Sequence, residues 1–251
     1  MILDYHHLPI CAIMLLFFGA FFITTFGTRG GVRKIVSMIA SALSLACLIA
    51  LIKPVMIDGE IISYWLGNRS IAGGYAIGIA IEVDALSLFF GLLVGIAAFA
   101  ACLYSLDYIT HDAHQVQYYT LLLMTSGGVL GMVLTGDIFN MYIMVEILTI
   151  GAVGLTAYRS KSEGALEAAF KYLVVGSIGS AFILTAIVML YAETHTLNLA
   201  QLAALLPGML GSGRMKIAFA LLLAGFSTKA FIVPFHPLAA DAHGAAPASV
   251  S

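Results

Sequence analysis

The sequence predicts an all-α fold: a polytopic transmembrane bundle of about seven helices, the seventh broken at Pro234, with a small hairpin-like loop outside the cytoplasm. Three observations carry this. Hydrophobic residues make up 61 % of the 251 residues and charged residues 10 %, against about 45–50 % and about 25 % in ordinary soluble domains. Seven apolar runs approach the roughly 20 residues that a helix needs to cross a hydrocarbon core of roughly 30 Å. Two prolines, Pro234 and Pro237, interrupt the last run. Such a composition excludes a soluble enzyme domain and a disordered chain. A net charge of −2 leaves no basic footprint for nucleic acid. Cys11, Cys47 and Cys102 sit in apolar runs without paired spacing, so neither a disulfide framework nor a zinc site is expected.

The first span is read at residues 8–26. Asp4, His6 and His7 precede it in place of a basic leader region, so it reads as a mature helix rather than a signal peptide. The second is read at 32–52. The long connection at 53–84 contains Asp58-Gly59-Glu60 and Gly73-Gly74-Tyr75, then an alternating stretch at 77–82, which together suggest a hairpin at the membrane surface. Tyr64 and Trp65 suit the interfacial aromatic belt. The remaining spans are read at 85–106, 118–134, 138–158, 168–191 and 217–233. Small residues four apart, Gly91 and Gly95, Gly127 and Gly131, Gly176 and Ser180, allow close helix approach within the bundle. Arg29, Arg33 and Lys34 in the first loop and Arg159 and Lys161 in the fifth outweigh Lys53, Arg69, Arg214 and Lys216 opposite. This bias places the N-terminus outside the cell membrane and the first, third and fifth loops in the cytoplasm. Asp107, His111, Asp112 and His114, and also Asp241 and His243, then face the cytoplasm. The chain divides into N-terminal helices with the hairpin at 1–115 and a second, incomplete helix unit at 116–251.

The informative residues are the charges inside apolar runs. Glu146 lies nine residues after Asp137. At 1.5 Å per residue that is about 13 Å along a helix, near the middle of the membrane. An intramembrane carboxylate reads as functional, able to load and release a proton, with a permanently paired packing glutamate as the structural alternative. Lys229 precedes Pro234-Phe235-His236-Pro237. Proline breaks helices, and broken helices in membranes are packed by protein or line a wet cavity. Its alternative is a lysine snorkelling from a helix end, and for Lys171, close to the cytoplasmic loop, that alternative is stronger. His236 and His243 flank the break, and histidine can relay protons near neutral pH. His6, His7, His111 and His114 have no third ligand nearby, so no metal site is expected. No hydrolase order, phosphate-cradling loop or cofactor motif is present.

These residues resemble a known family. Gly136-Asp137-Ile138-Phe139-Asn140 leading to Glu146, then Lys171-Tyr172-Leu173 with Gly176-Ser177-Ile178-Gly179-Ser180, are similar to the antiporter-like membrane subunits of respiratory complex I, Mrp antiporters and membrane-bound [NiFe] hydrogenases. So are Asp84-Ala85-Leu86-Ser87, Thr196-Leu197-Asn198-Leu199, and Lys229 with Pro234-Phe235-His236, Asp241-Ala242-His243 and Ala246-Pro247-Ala248-Ser249-Val250-Ser251. The resemblance implies that Glu146 pairs with Lys229, that Lys171 and His236 are relay neighbours, and that His243 ends the broken helix on the cytoplasmic side. It implies no cofactor. The partners it implies are other membrane subunits of a redox or antiporter complex, the lipid bilayer, and protons or Na⁺. Leu238-Ala239-Ala240 stands where the family has Trp-Leu-Pro. Family members carry about fourteen helices, so Ser251 falls where an eighth helix is expected, and the lysine of that helix lies beyond it. Three functions follow as expectations: proton or cation translocation in a redox-driven complex, Na⁺/H⁺ antiport of the Mrp type, and a structural or assembly subunit that conducts nothing.

Overall fold

The computed structural model describes residues 5–250 except 29, 69–70, 73–74, 77, 160–163 and 210. Asp4, Arg29, Arg69, Gly73, Gly74, Lys161 and Ser251, which the sequence reading used, lie outside the described residues.

Six helices among the described residues are long and apolar enough to cross a membrane. Helices α1 (Leu8–Phe26) and α2 (Gly30–Ala50) pack on each other, and α1 also packs on α4 (Gln115–Val133). A five-residue π-helical turn, Lys53–Ile57, lets the chain leave α2 at Pro54. Strand β1 (Ile62–Trp65) then pairs antiparallel with β4 (Ala80–Val83), Ile62 opposite Val83 and Trp65 opposite Ala80. Between them β2 (Ile71–Ala72) pairs with β3 (Tyr75–Ala76). The expected hairpin is therefore present, and it is anchored on the bundle. Glu82 N–H donates to the Leu134 carbonyl at 2.9 Å and Gly136 N–H to the Ala80 carbonyl at 2.9 Å.

Helix α3 (Ala85–Tyr108) begins at a reciprocal cap. The Asp84 carboxylate accepts from Ser87 N–H at 2.7 Å, and the Ser87 hydroxyl accepts from Asp84 N–H at 2.8 Å. Those bonds hold the Asp84 carboxyl below the usual carboxylate range. Helix α5 (Ile138–Thr156) starts at a one-way aspartate cap, the buried Asp137 side chain accepting from Asn140 N–H at 2.7 Å. The 30-residue α6 (Ala165–Thr194) follows, then a short surface helix α7 (Leu199–Leu205) capped by Asn198. The sequence reading contains no helix here, because seven residues are too few for a periodic signal.

The seventh expected span is α8 (Gly213–Lys229), 17 residues long, and the helix ends at Lys229 rather than at 233. Pro234 cannot donate to the carbonyl four residues back, and its ring crowds that carbonyl, so the regular helix stops before the proline itself. Phe231 turns the chain at φ 52, and α9 (Pro237–Ala245) resumes with Pro237 in its first turn. One buried cluster, including Ile13, Leu16, Leu48, Leu88, Tyr118 and Leu130, joins α1–α4 and the hairpin. A second, including Ile138, Ile183, Ile187, Leu202 and Met215, joins α5–α8.

Candidate functional site

The break after Lys229 faces the middle of α5. Glu146 sits halfway along α5, where Asp137 starts the helix at one surface and Tyr158 follows its end at the other. Lys229 is the last residue of α8, so its side chain leaves a helix end whose carbonyls no longer have intrahelical partners. Its Nζ lies 3.4 Å from Glu146 Oε1 and donates to the Thr149 hydroxyl at 2.8 Å. The Lys229 side chain is 11 % exposed and that of Glu146 32 %. Glu146 Oε1 also accepts a hydrogen bond from the Ser180 hydroxyl of α6.

The approach of α8 to α6 brings this constellation together. A Cβ on Gly225 would lie 2.7 Å from the Gly179 carbonyl oxygen and 2.5 Å from an Ile183 side-chain carbon. Only glycine at 225 lets the two backbones come so near, one turn before Lys229. On the other side Gly176 leaves room for Thr149, whose methyl would be 3.3 Å from an added Cβ. Three helices thus contribute one carboxylate, one ammonium and two hydroxyls. The ammonium has three protons to donate, and the Thr149 bond gives it a partner that persists when the carboxylate moves away.

Lys171 is placed elsewhere. Its Nζ lies 2.7 Å from Glu167 Oε1, one turn back on α6, and 3.3 Å from Asp241 Oδ2 on α9. These side chains are 46 %, 70 % and 47 % exposed respectively and border an open cavity of about 420 Å³. His236 sits at the start of α9 and is exposed, as is His243 within that helix. The His243 ring meets Phe231 edge-on at 6.4 Å, and Phe231 in turn meets Tyr172 of α6 at 5.5 Å. The structure therefore gathers Glu146 and Lys229 in mid-bundle. It puts Lys171, His243 and Asp241 around the outer part of the break.

The sequence reading missed Thr149 altogether and took Ser180 only for helix packing. Thr149 could have been found, since it lies three residues after Glu146 and shares its helix face. Ser180 could not, because nothing local states which way α6 is turned.

Two family profiles match the chain. One, described as "NADH:quinone oxidoreductase/Mrp antiporter, TM", covers residues 135–251. The other, "NADH-Ubiquinone oxidoreductase (complex I), chain 5 N-terminus", covers residues 70–119. Among curated relatives, the NADH-quinone oxidoreductase subunit N of Desulforudis audaxviator is 34 % identical over 175 residues, 69 % of this chain and 34 % of that protein. The F(420)H(2) dehydrogenase subunit N of Methanosarcina mazei is 31 % identical over 172 residues, 68 % of this chain and 35 % of that protein. Among solved structures, a chain of an archaeal membrane-bound sulfane sulfur reductase superposes with a TM-score of 0.86 at 31 % identity, covering 96 % of this chain and 48 % of that one. A chain of the Mrp complex from a Dietzia species shares the fold, with a TM-score of 0.83 at 23 % identity over 100 % of this chain and 45 % of that one. The sequence thus spans about a third of these curated relatives and about half of these solved chains.

Proposed function

This chain belongs to the antiporter-like membrane subunit family, and from that premise we propose that it moves protons across the cytoplasmic membrane as one of several membrane subunits of a redox-driven complex. The observation that carries the reading is Lys229 Nζ lying 3.4 Å from Glu146 Oε1, at the point where α8 stops. With the two groups together, the carboxylate stabilises the charged lysine. When movement at the break draws them apart, the ammonium keeps its Thr149 bond but loses its counter-charge, and it sheds a proton onward. Re-forming the pair raises the proton affinity of the neutral amine, which takes up a new proton and is reset. Conformational or electrostatic change in a redox partner drives the cycle, since this chain carries no redox ligand set in its sequence. Lys171, His236 and His243 carry the proton between the pair and the membrane face, the face with the first, third and fifth loops, which is cytoplasmic in this reading. Residues 116–251 supply the Glu146–Lys229 pair and residues 1–115 the supporting helices and hairpin.

The test is Glu146→Gln in the assembled complex in vesicles, with proton uptake and redox turnover followed together. Pumping is expected to stop while electron transfer continues in part; unimpaired pumping would sink the role. The family description also covers Mrp antiporters. Dependence of the same signal on Na⁺ separates Na⁺/H⁺ exchange from proton pumping alone.

A further inference from the structure

A second line of buried polar groups runs along α4, away from the Glu146–Lys229 pair. It begins at Asp112, in the turn between α3 and α4, and at Tyr158, just past α5. Asp112 Oδ2 lies 3.7 Å from the Arg159 guanidinium, which rests over the Tyr108 ring at 5.1 Å. Burial, and then the Asp112 carboxylate, push the Tyr158 phenol up, so it stays protonated and able to donate. The Tyr158 ring packs on Tyr118 at 5.3 Å. The Tyr118 hydroxyl hydrogen-bonds the Ser105 hydroxyl at 2.7 Å and the Ser249 hydroxyl at 2.5 Å. Ser249 borders a cavity of about 400 Å³ together with Ser126 and Thr125 of α4. Thr125 Oγ1 in turn points at Gly151 of α5, where an added Cβ would collide with it.

Among the described residues, three buried side-chain polar atoms lack a hydrogen bond of good geometry: Asp112 Oδ2 and the Tyr158 hydroxyl, which face each other beside Arg159, and Thr125 Oγ1. All three lie on this line. An orphaned buried polar atom is unfavourable and calls for a reason. The Asp112–Tyr158 pair stands at one end of the line; at the other, Thr125 borders a mostly apolar cavity whose wall carries three hydroxyls, and a water bridging those hydroxyls would satisfy it.

We propose that this line is a proton pick-up path, with Asp112 as the acceptor at the membrane face and Tyr158, Tyr118, Ser249 and Thr125 as its relay towards α5. The proposal rests on the proton-translocating function above. At each hop a hydroxyl or water oxygen receives one proton as its own proton passes to the next oxygen. No other bond changes and no electron moves. Arg159 sits beside Asp112 at the entrance, and Gly151 lets the last hydroxyl reach α5 five residues beyond Glu146.

The experiment compares initial proton uptake per redox turnover in vesicles holding the assembled complex. The variants are Tyr158→Phe, Tyr118→Phe, Asp112→Asn, Asp112→Glu and Thr125→Val, with Glu146→Gln as reference. The phenylalanine variants keep the rings and are expected to slow uptake about tenfold or more, as is Asp112→Asn, while Asp112→Glu restores it. Thr125→Val separates conduction from folding. It removes a hydroxyl that bonds nothing, so thermal stability should hold or rise while uptake falls. Wild-type uptake in Thr125→Val and in the two phenylalanine variants, with Glu146→Gln inactive, overturns the path and leaves the proposed function standing. Normal uptake in Glu146→Gln removes the function and the path with it.

Discussion

Two of the lysine–carboxylate contacts are of nearly equal length and unequal physics. Lys229 lies 3.4 Å from Glu146, and Lys171 lies 3.3 Å from Asp241. The Lys229 side chain is 11 % exposed and is closed in by α5 and α6; that of Lys171 is 46 % exposed and has a second carboxylate, Glu167, within reach. In the first place the ammonium is short of water and depends on its partners. In the second, each is solvated and has alternatives. Distance alone does not rank the two contacts; the surroundings do, because the desolvation cost that makes a charge need its partner is paid only inside.

Substitutions can break this contrast. Lys229→Ala removes the partner of a partly enclosed carboxylate and leaves Thr149 without its charged donor. The expected loss is the largest, about 3 kcal/mol or more, read as a fall in the melting temperature of the detergent-solubilised protein. Thr149→Val removes a 2.8 Å bond to the ammonium while keeping the side-chain shape. A loss of about 1.5–3 kcal/mol is expected, as for other bonds to charged groups. Gly225→Ala sharpens the comparison from the packing side. The new methyl meets the α6 backbone, pushes α8 away and loosens the Lys229–Glu146 contact, at about 1–3 kcal/mol. Lys171→Met comes last. A solvated pair is worth about 1 kcal/mol or less, so its melting temperature should stay close to wild type. If Lys171→Met destabilises as much as Lys229→Ala, the two contacts are equivalent and the distinction drawn from burial is wrong.

Much of the fold was legible in the sequence because lipid leaves a chain few choices. The apolar run at 8–26 became α1 with the same limits, and the Asp84 and Asp137 caps open α3 and α5 where the runs begin. Glu146 and Lys229 stood out for the same reason: an ion in an apolar run is expensive anywhere in it, so its oddness shows without knowing the neighbours. The helix end at Lys229 was less legible. Pro234 announces a break, but the loss of a donor and the ring's bulk act several residues upstream, and only the path of the backbone fixed where the helix stops.

Composition and local pattern by themselves determined that this is a membrane helix bundle, where the spans capped by Asp84 and Asp137 begin, and which charges are out of place, since each follows from the solvent and from hydrogen bonds within a few residues. Only the tertiary structure decided what those charges touch. It turned Ser180 towards Glu146, gave Lys229 the Thr149 hydroxyl, drew Lys171 to Asp241, and aligned Asp112, Tyr158, Tyr118 and Ser249 from four separate segments. Such contacts depend on how each helix is rotated about its axis. In an apolar chain that rotation is set by close packing at residues such as Gly225 and Gly179, summed over neighbours far away in sequence.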